Sequence, residues 1–144
     1  MTGIRPMIEA DAGRVAELTT QLGYPADPET LVSRLAEVRT RVADEVLVAV
    51  DADDVPIGWI HVARLALLEE SDLACINGLV VDEDHRSQGI GAALVEAAEE
   101  WAREQGATEI MVRSRSARVR AHRFYERIGY VEIKRSHVFS KSIV

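Results

Sequence analysis

The chain has 144 residues, 47% hydrophobic and 28% charged, with a net charge of −7. This length suits one domain with a sound core, while the acidity excludes bulk attraction to nucleic acid, and no run nears the ~20 apolar residues of a membrane span. A single cysteine, Cys75, excludes an internal disulfide framework; no Cys or His pair has zinc-site spacing, so no metal is expected, and without a signal-like leader the expected location is cytoplasmic.

Ile4 to Ile8 reads as a first strand, with Pro6 pointing to an edge or a strand start. Asp11 is the expected N-cap of a helix reaching about Leu22, with Val15, Leu18 and Leu22 inward and Gly23 as its stop. Asp27-Pro28-Glu29 starts a second helix: a cap, a proline in the first turn, then acid at the positive end. Leu31, Leu35 and Val38 give that helix its apolar stripe. The Gly-Tyr-Pro link leaves two short helices on one flank, where such segments shape a substrate entrance. Glu45 to Val50 and Ile57 to Leu67 are strands, joined into a hairpin by the turn chemistry of Asp51-Ala52-Asp53-Asp54. After the acidic connection Glu69 to Asp72, Leu73 to Val81 reads as a buried strand with a bulge at Asn77-Gly78.

Arg86-Ser87-Gln88-Gly89-Ile90-Gly91-Ala92 then leads into a helix. Ile90, Leu94, Ala97, Ala98 and Trp101 form its apolar side, and Glu96, Glu99, Glu100, Arg103 and Glu104 the other. A helix start offers unpaired N–H groups, and Gly89 and Gly91 let a bulky anion come close to them. Arg86 can add a fork of donors. The local expectation is a pyrophosphate cradle. Leu94 stands where a dinucleotide fingerprint needs its third glycine, and no Gly-Lys-Ser/Thr follows, so neither of those nucleotide motifs is supported.

Gly106 stops this helix and Glu109 to Arg113 is a strand. Ser116 can cap a last helix from about Ala117 to Ile128, which Gly129 ends; Tyr130 to Lys134 and Val138 to Lys141 finish as a hairpin. The order describes a mixed α/β sandwich in one domain over residues 1–144, not a repeating βαβ array.

The pattern Arg86-x-x-Gly89-x-Gly91-Ala92 resembles the coenzyme A signature of the GNAT family of N-acetyltransferases. Ala121-x-x-Phe124-Tyr125, followed by Gly129 and the aromatic Tyr130, is similar to that family's later helix and its stop. The Gly-Tyr-Pro segment and the run from Arg120 to Tyr125 look like the aminoglycoside N-acetyltransferase-like branch. The resemblance implies a mostly antiparallel sheet of about six or seven strands, flanked by four helices and splayed at the cofactor strand. Acetyl-CoA would lie in that gap, its pantetheine arm on backbone groups of Leu79, Val80 and Val81. Its pyrophosphate would sit on the turn from Arg86 and Ser87 through Gln88, Gly89, Ile90, Gly91 and Ala92. Tyr125 would be the catalytic acid: a phenol of unperturbed pKa about 10 stays protonated at neutral pH and can donate to the departing sulfur. Many relatives carry Asn three residues before the motif alanine, in contact with the cofactor; Arg118 stands there instead, and a guanidinium can meet a phosphate. A homodimer is also implied.

The attacking amine must be neutral, and its base stays open among Glu69, Glu70, Asp72, His61 and His122. A backbone N–H near Val81 is the oxyanion donor implied by resemblance. Arg120, Arg123 and Arg127 share one helix face, which either meets the cofactor's phosphates or is solvated. The expected activity is transfer of acetyl from acetyl-CoA to a primary amine of a small molecule, aminoglycoside-like or a polyamine, by direct attack. Cys75 in its apolar run speaks against an acyl-cysteine route. The alternatives are a peptide or protein amine as acceptor, or a non-catalytic acyl-CoA-binding module.

Overall fold

The computed structural model describes residues 3–69, 72–114 and 119–144. Strands β1 (Gly3–Pro6), β2 (Asp44–Val50), β3 (Pro56–Leu65), β4 (Leu73–Val81) and β5 (Glu109–Val112) form one sheet in that order. The first four pair antiparallel, and β5 runs parallel to β4. Helices α1 (Ala12–Gln21) and α2 (Pro28–Arg39) lie between β1 and β2 in the chain, α3 (Ile90–Glu104) between β4 and β5, and α4 (Val119–Arg127) follows β5. Among the described residues no helix is long and apolar enough to cross a membrane. The chain divides into two compact units, Met1–Arg113 with the sheet and α1 to α3, and Ser114–Val144 with α4.

Period-two alternation decides which side of the sheet each residue serves. Val46, Val48 and Val50 of β2 join Met7, Val15 and Leu31 in one cluster, with Trp59 of β3 packed against it. Leu47 and Ile60, paired across β2 and β3, turn to the other face, where Ile90, Leu94, Val95 and Ala98 of α3 are buried. Each fully buried Leu or Ile there contributes about 1.5–3 kcal/mol. Val95 and Ala102 are buried in α3, whereas Ala97 and Trp101 of the expected stripe are only half-buried.

Local signals place the helix ends. Asp27 accepts from Thr30 N at 2.8 Å, with Pro28 in the first turn of α2. At the far end of α4, Gly129 N donates to Glu126 O and Tyr130 N to Tyr125 O, the paired closure of a Schellman stop. The same pattern closes α1 at Gly23 and α3 at Gly106. Asp51 organises the β2–β3 turn by accepting from Asp53 N and Val55 N.

Two expectations are corrected. Asp11 does occupy the cap position of α1, yet its carboxylate turns backward, accepting from Ile8 N at 2.8 Å and from both Nη atoms of Arg5. A bidentate guanidinium is a stronger partner than a helix N–H. Burial alone would raise the Asp11 carboxyl, but those bonds hold it below its ordinary range. The second correction concerns the end of the chain. Tyr130 to Lys134 and Val138 to Lys141 form no strand, so among the described residues the sheet has five strands where six or seven were expected. Alternating apolar residues are present there, but Val131, Ile133, Val138 and Phe139 are exposed, without the neighbouring ladder that makes such a pattern a strand. The cap expected at Ser116 lies outside the described residues.

Candidate active site

The ladder between β4 and β5 runs only from Leu73↔Glu109 to Ile76↔Val112. Immediately beyond it β4 bulges: His61 pairs with Gly78 and Val62 with Ile76, leaving Asn77 unopposed. The expected bulge at Asn77-Gly78 is therefore present, and it falls where β5 parts from β4. From Gly78 to Val81 the strand stays paired with β3 on one side, while its other edge has no main-chain partner among the described residues. Leu79, Val80 and Val81 belong to this open edge. Unpaired strand groups are costly unless something satisfies them, and an amide-rich extended ligand can.

The opposite face of this segment is closed tightly. A Cβ at Gly78 would lie 2.8 Å from two ring carbons of Trp59. Only glycine lets the indole lie over the strand at this point. The Trp59 Nε1 is buried and has no hydrogen-bond partner among the described residues.

The turn after β4 carries the second half of the site. Arg86, Ser87, Gln88 and Gly89 are exposed, and Ser87 and Gly89 both take positive φ, 66° and 78°. Gly89 is the N-cap of α3 and contributes no side-chain cap. The first main-chain acceptor bond of the helix comes from Ala93 N to Gly89 O. The N–H groups of Gly89, Ile90, Gly91 and Ala92 thus have no protein acceptor among the described residues, at the positive end of a 15-residue helix. Ile90 can contribute only its main chain, because its side chain is buried against the sheet.

Sequence reasoning missed what holds this turn. Asp82, 4% exposed, receives Arg14 Nη2 at 2.8 Å, Gln21 Nε2 at 3.0 Å and His85 Nδ1 at 2.8 Å. Arg14 also donates to Pro56 O, and Gln21 Oε1 accepts from Glu83 N. One face of α1 therefore clamps the start of the link that leads from β4 to the cradle, and Asp82 in turn holds His85. Arg14 and Gln21, seven residues apart, share a helix face; that spacing is the one signal the sequence offered. Burial on its own would raise the Asp82 carboxyl, but the bonds from Gln21 and His85 and the charge of Arg14 bring it down to about 2.

A carboxyl depressed in the folded state stabilises above its unfolded value and loses that contribution as pH falls through its folded value. Asp82→Asn should lower the unfolding free energy by about 1.5–3 kcal/mol at neutral pH, the scale of hydrogen bonds to a charged group. In urea titrations the gap between wild type and variant should close between about pH 4 and about pH 2. A gap that stays constant over that window would remove the charge from the account.

Tyr125 lies near the end of α4, in the unit Ser114–Val144. Its ring meets Phe124 edge-on at 5.1 Å and Tyr130 at 5.8 Å. Tyr125 and Tyr130 are the two residues whose side chains a Schellman stop brings together, so Gly129 helps to aim the phenol. Arg120, Arg123 and Arg127 of the same helix are exposed, with Arg127 5.8 Å from the centre of the Phe124 ring. Arg118 lies outside the described residues, as does Glu70. Burial pushes the Cys75 thiol up, which suits a packed hydrophobe and not a nucleophile.

Comparison with known proteins places the chain in a family. Residues 14–130 match the acetyltransferase (GNAT) family. An aminoglycoside N(6′)-acetyltransferase type 1 from Klebsiella aerogenes is 27% identical over 146 residues, covering 97% of this chain and 96% of its own. The fold is shared with the aminoglycoside 6′-N-acetyltransferase AAC(6′)-IG of Acinetobacter haemolyticus, at a TM-score of 0.82 and 21% identity over 99% of this chain and 100% of that one. It is shared equally with AAC(6′)-Iy in complex with a bisubstrate analogue of CoA and acetylneamine, at a TM-score of 0.84 and 19% identity over 97% of both chains. The open β4 edge and the uncapped start of α3 fit what a coenzyme A thioester requires. The chain thus belongs to the GNAT acetyltransferase family, as an acetyl-CoA-dependent N-acetyltransferase.

Proposed function

We propose that the chain acetylates a primary amine of an aminoglycoside-like small molecule by direct attack on acetyl-CoA, with residues 1–144 acting as one catalytic domain. The observation that carries this reading is the coincidence of β4's free edge with the free donors that open α3. In this reading Leu79, Val80 and Val81 pair with the pantetheine arm. The N–H groups from Gln88 to Ala92 receive the pyrophosphate, with Arg86 and Ser87 at the rim and Arg118 as a further phosphate partner. Tyr125 gives its phenolic proton to the leaving sulfur. The aminoglycoside acceptor is supported by relatives that bear that name along nearly the whole chain, and by the net charge of −7, which favours a polycationic acceptor. A homodimer is the assembly that the family resemblance supports.

Thiol release from acetyl-CoA tests the acceptor. Aminoglycosides carrying a 6′-amine should be turned over at least tenfold faster, by kcat/KM, than analogues with a hydroxyl there, than polyamines, and than a peptide N-terminus. A site that uses a specific polar group discriminates strongly against its absence. Preference for the peptide would transfer the reading to a protein acceptor, and indifference among the sugars would discard the aminoglycoside.

A further inference from the structure

We propose that His61 accepts the proton of the acceptor amine and that Asp44 orients it. This rests on the acetyl-transfer reading above. His61 stands directly opposite Gly78, the residue after the bulge and next to Leu79. Paired residues on neighbouring strands lie about 4.5–5.5 Å apart, so the imidazole rises beside the point where β4 becomes free on its far edge. Period two puts His61 on the same face as Trp59, which is the face covered by α1 and α2.

The geometry also fixes the ring's chemistry. His61 Nε2 is 2.9 Å from Asp44 Oδ2, and the two side chains are 22% and 10% exposed. In the neutral ring this contact puts the hydrogen on Nε2, facing the carboxylate, and leaves the lone pair on Nδ1. No described group meets Nδ1, and Trp59 Nε1 is the only buried, unpartnered side-chain nitrogen among the described residues. Nδ1 therefore remains open to solvent or ligand. The same Asp44 carboxylate lies 3.8 Å from Arg41, in the link after α2. On this face β4 presents Gly78 and Val80.

The other base candidates are placed differently. Asp72 is paired with Arg64 at 2.9 Å, and its carbonyl receives Thr108 N and Glu109 N. Glu69 is exposed, and His122 belongs to α4 in the second unit.

In the step proposed, one proton passes from the ammonium R–NH3+ to Nδ1, directly or through one water, and gives an imidazolium held by Asp44. The freed nitrogen lone pair forms the C–N bond as the C–S bond breaks. The nitrogen's second proton, lost as the amide forms, balances the proton that the departing sulfur takes up, and the imidazolium returns its proton to water.

The test is the pH profile of kcat/KM for the amine in wild type, His61→Gln and Asp44→Asn, with acetyl-CoA affinity by calorimetry and melting temperature as companions. His61→Gln should lower the rate roughly 10²–10⁴-fold, the span of a general base, and its acid limb should give way to one set by the acceptor amine itself. Asp44→Asn keeps a hydrogen-bonding partner but loses the charge that supports the imidazolium. Its kcat should fall about tenfold while KM for the amine stays within about twofold. Acetyl-CoA affinity should stay within about twofold in both. A His61→Gln enzyme with the wild-type rate and limb would overturn the proposal, as would loss that tracks melting temperature alone. Wild-type protein that releases no thiol with any amine would instead remove the acetyl-transfer reading on which the proposal rests.

Discussion

Gly89→Val should weaken acetyl-CoA binding about 10²-fold in calorimetry while the melting temperature shifts by no more than a few degrees. Gly89 holds φ at 78°, a conformation that strains any L side chain and a β-branched one most. No atom lies within 4 Å of the Cβ that valine would add, so the effect cannot come from crowding the core. It comes from the backbone. Valine draws the turn toward negative φ, and the N–H groups that open α3 swing away from the position proposed for the pyrophosphate. Losing two hydrogen bonds to a charged group costs about 3 kcal/mol or more, which is the 10²-fold stated. Gly89→Ala, strained less, should fall between wild type and valine. Acetyl-CoA affinity unchanged in Gly89→Val would mean that these donors do not hold the phosphates.

The contrast between Gly89 and Asp82 shows what a sequence discloses. Gly89, Gly23, Gly106 and Gly129 were legible because helix starts and stops follow rules spanning five or six residues. The bulge was legible because Asn77-Gly78 interrupts an otherwise continuous apolar strand. Asp27 with Pro28 and Glu29 marked the start of α2 for the same reason. The clamp at Asp82 joins residues 61 and 68 positions apart, through Gln21 and Arg14, and nothing local announces it. Asp11 looked like a forward cap until Arg5, brought close by β1, offered a charged fork behind it. The His61–Asp44 pair depends on a β2–β3 register that no periodicity specifies, so the base could be narrowed only to several residues. At the other end of the chain, alternation at Val131, Ile133 and Val138 satisfied the strand rule without a neighbouring strand to complete it.

Tyr125→Phe should reduce kcat by roughly 10²–10⁴-fold while acetyl-CoA affinity stays within about twofold. The change removes one oxygen and keeps the ring, so the edge-on contact with Phe124 and the contact with Tyr130 survive, and with them the Schellman stop at Gly129. What disappears is the only proton that this ring can give. A thiolate expelled without that proton is a poorer leaving group, and the loss should be larger for the chemical step than for binding. Replacing the acetyl thioester by one whose thiol has a lower pKa should rescue the phenylalanine variant more than the wild type, because a weakly basic sulfur needs less help in leaving. A phenylalanine variant that turns over at the wild-type rate with every thioester would take the acid role from Tyr125.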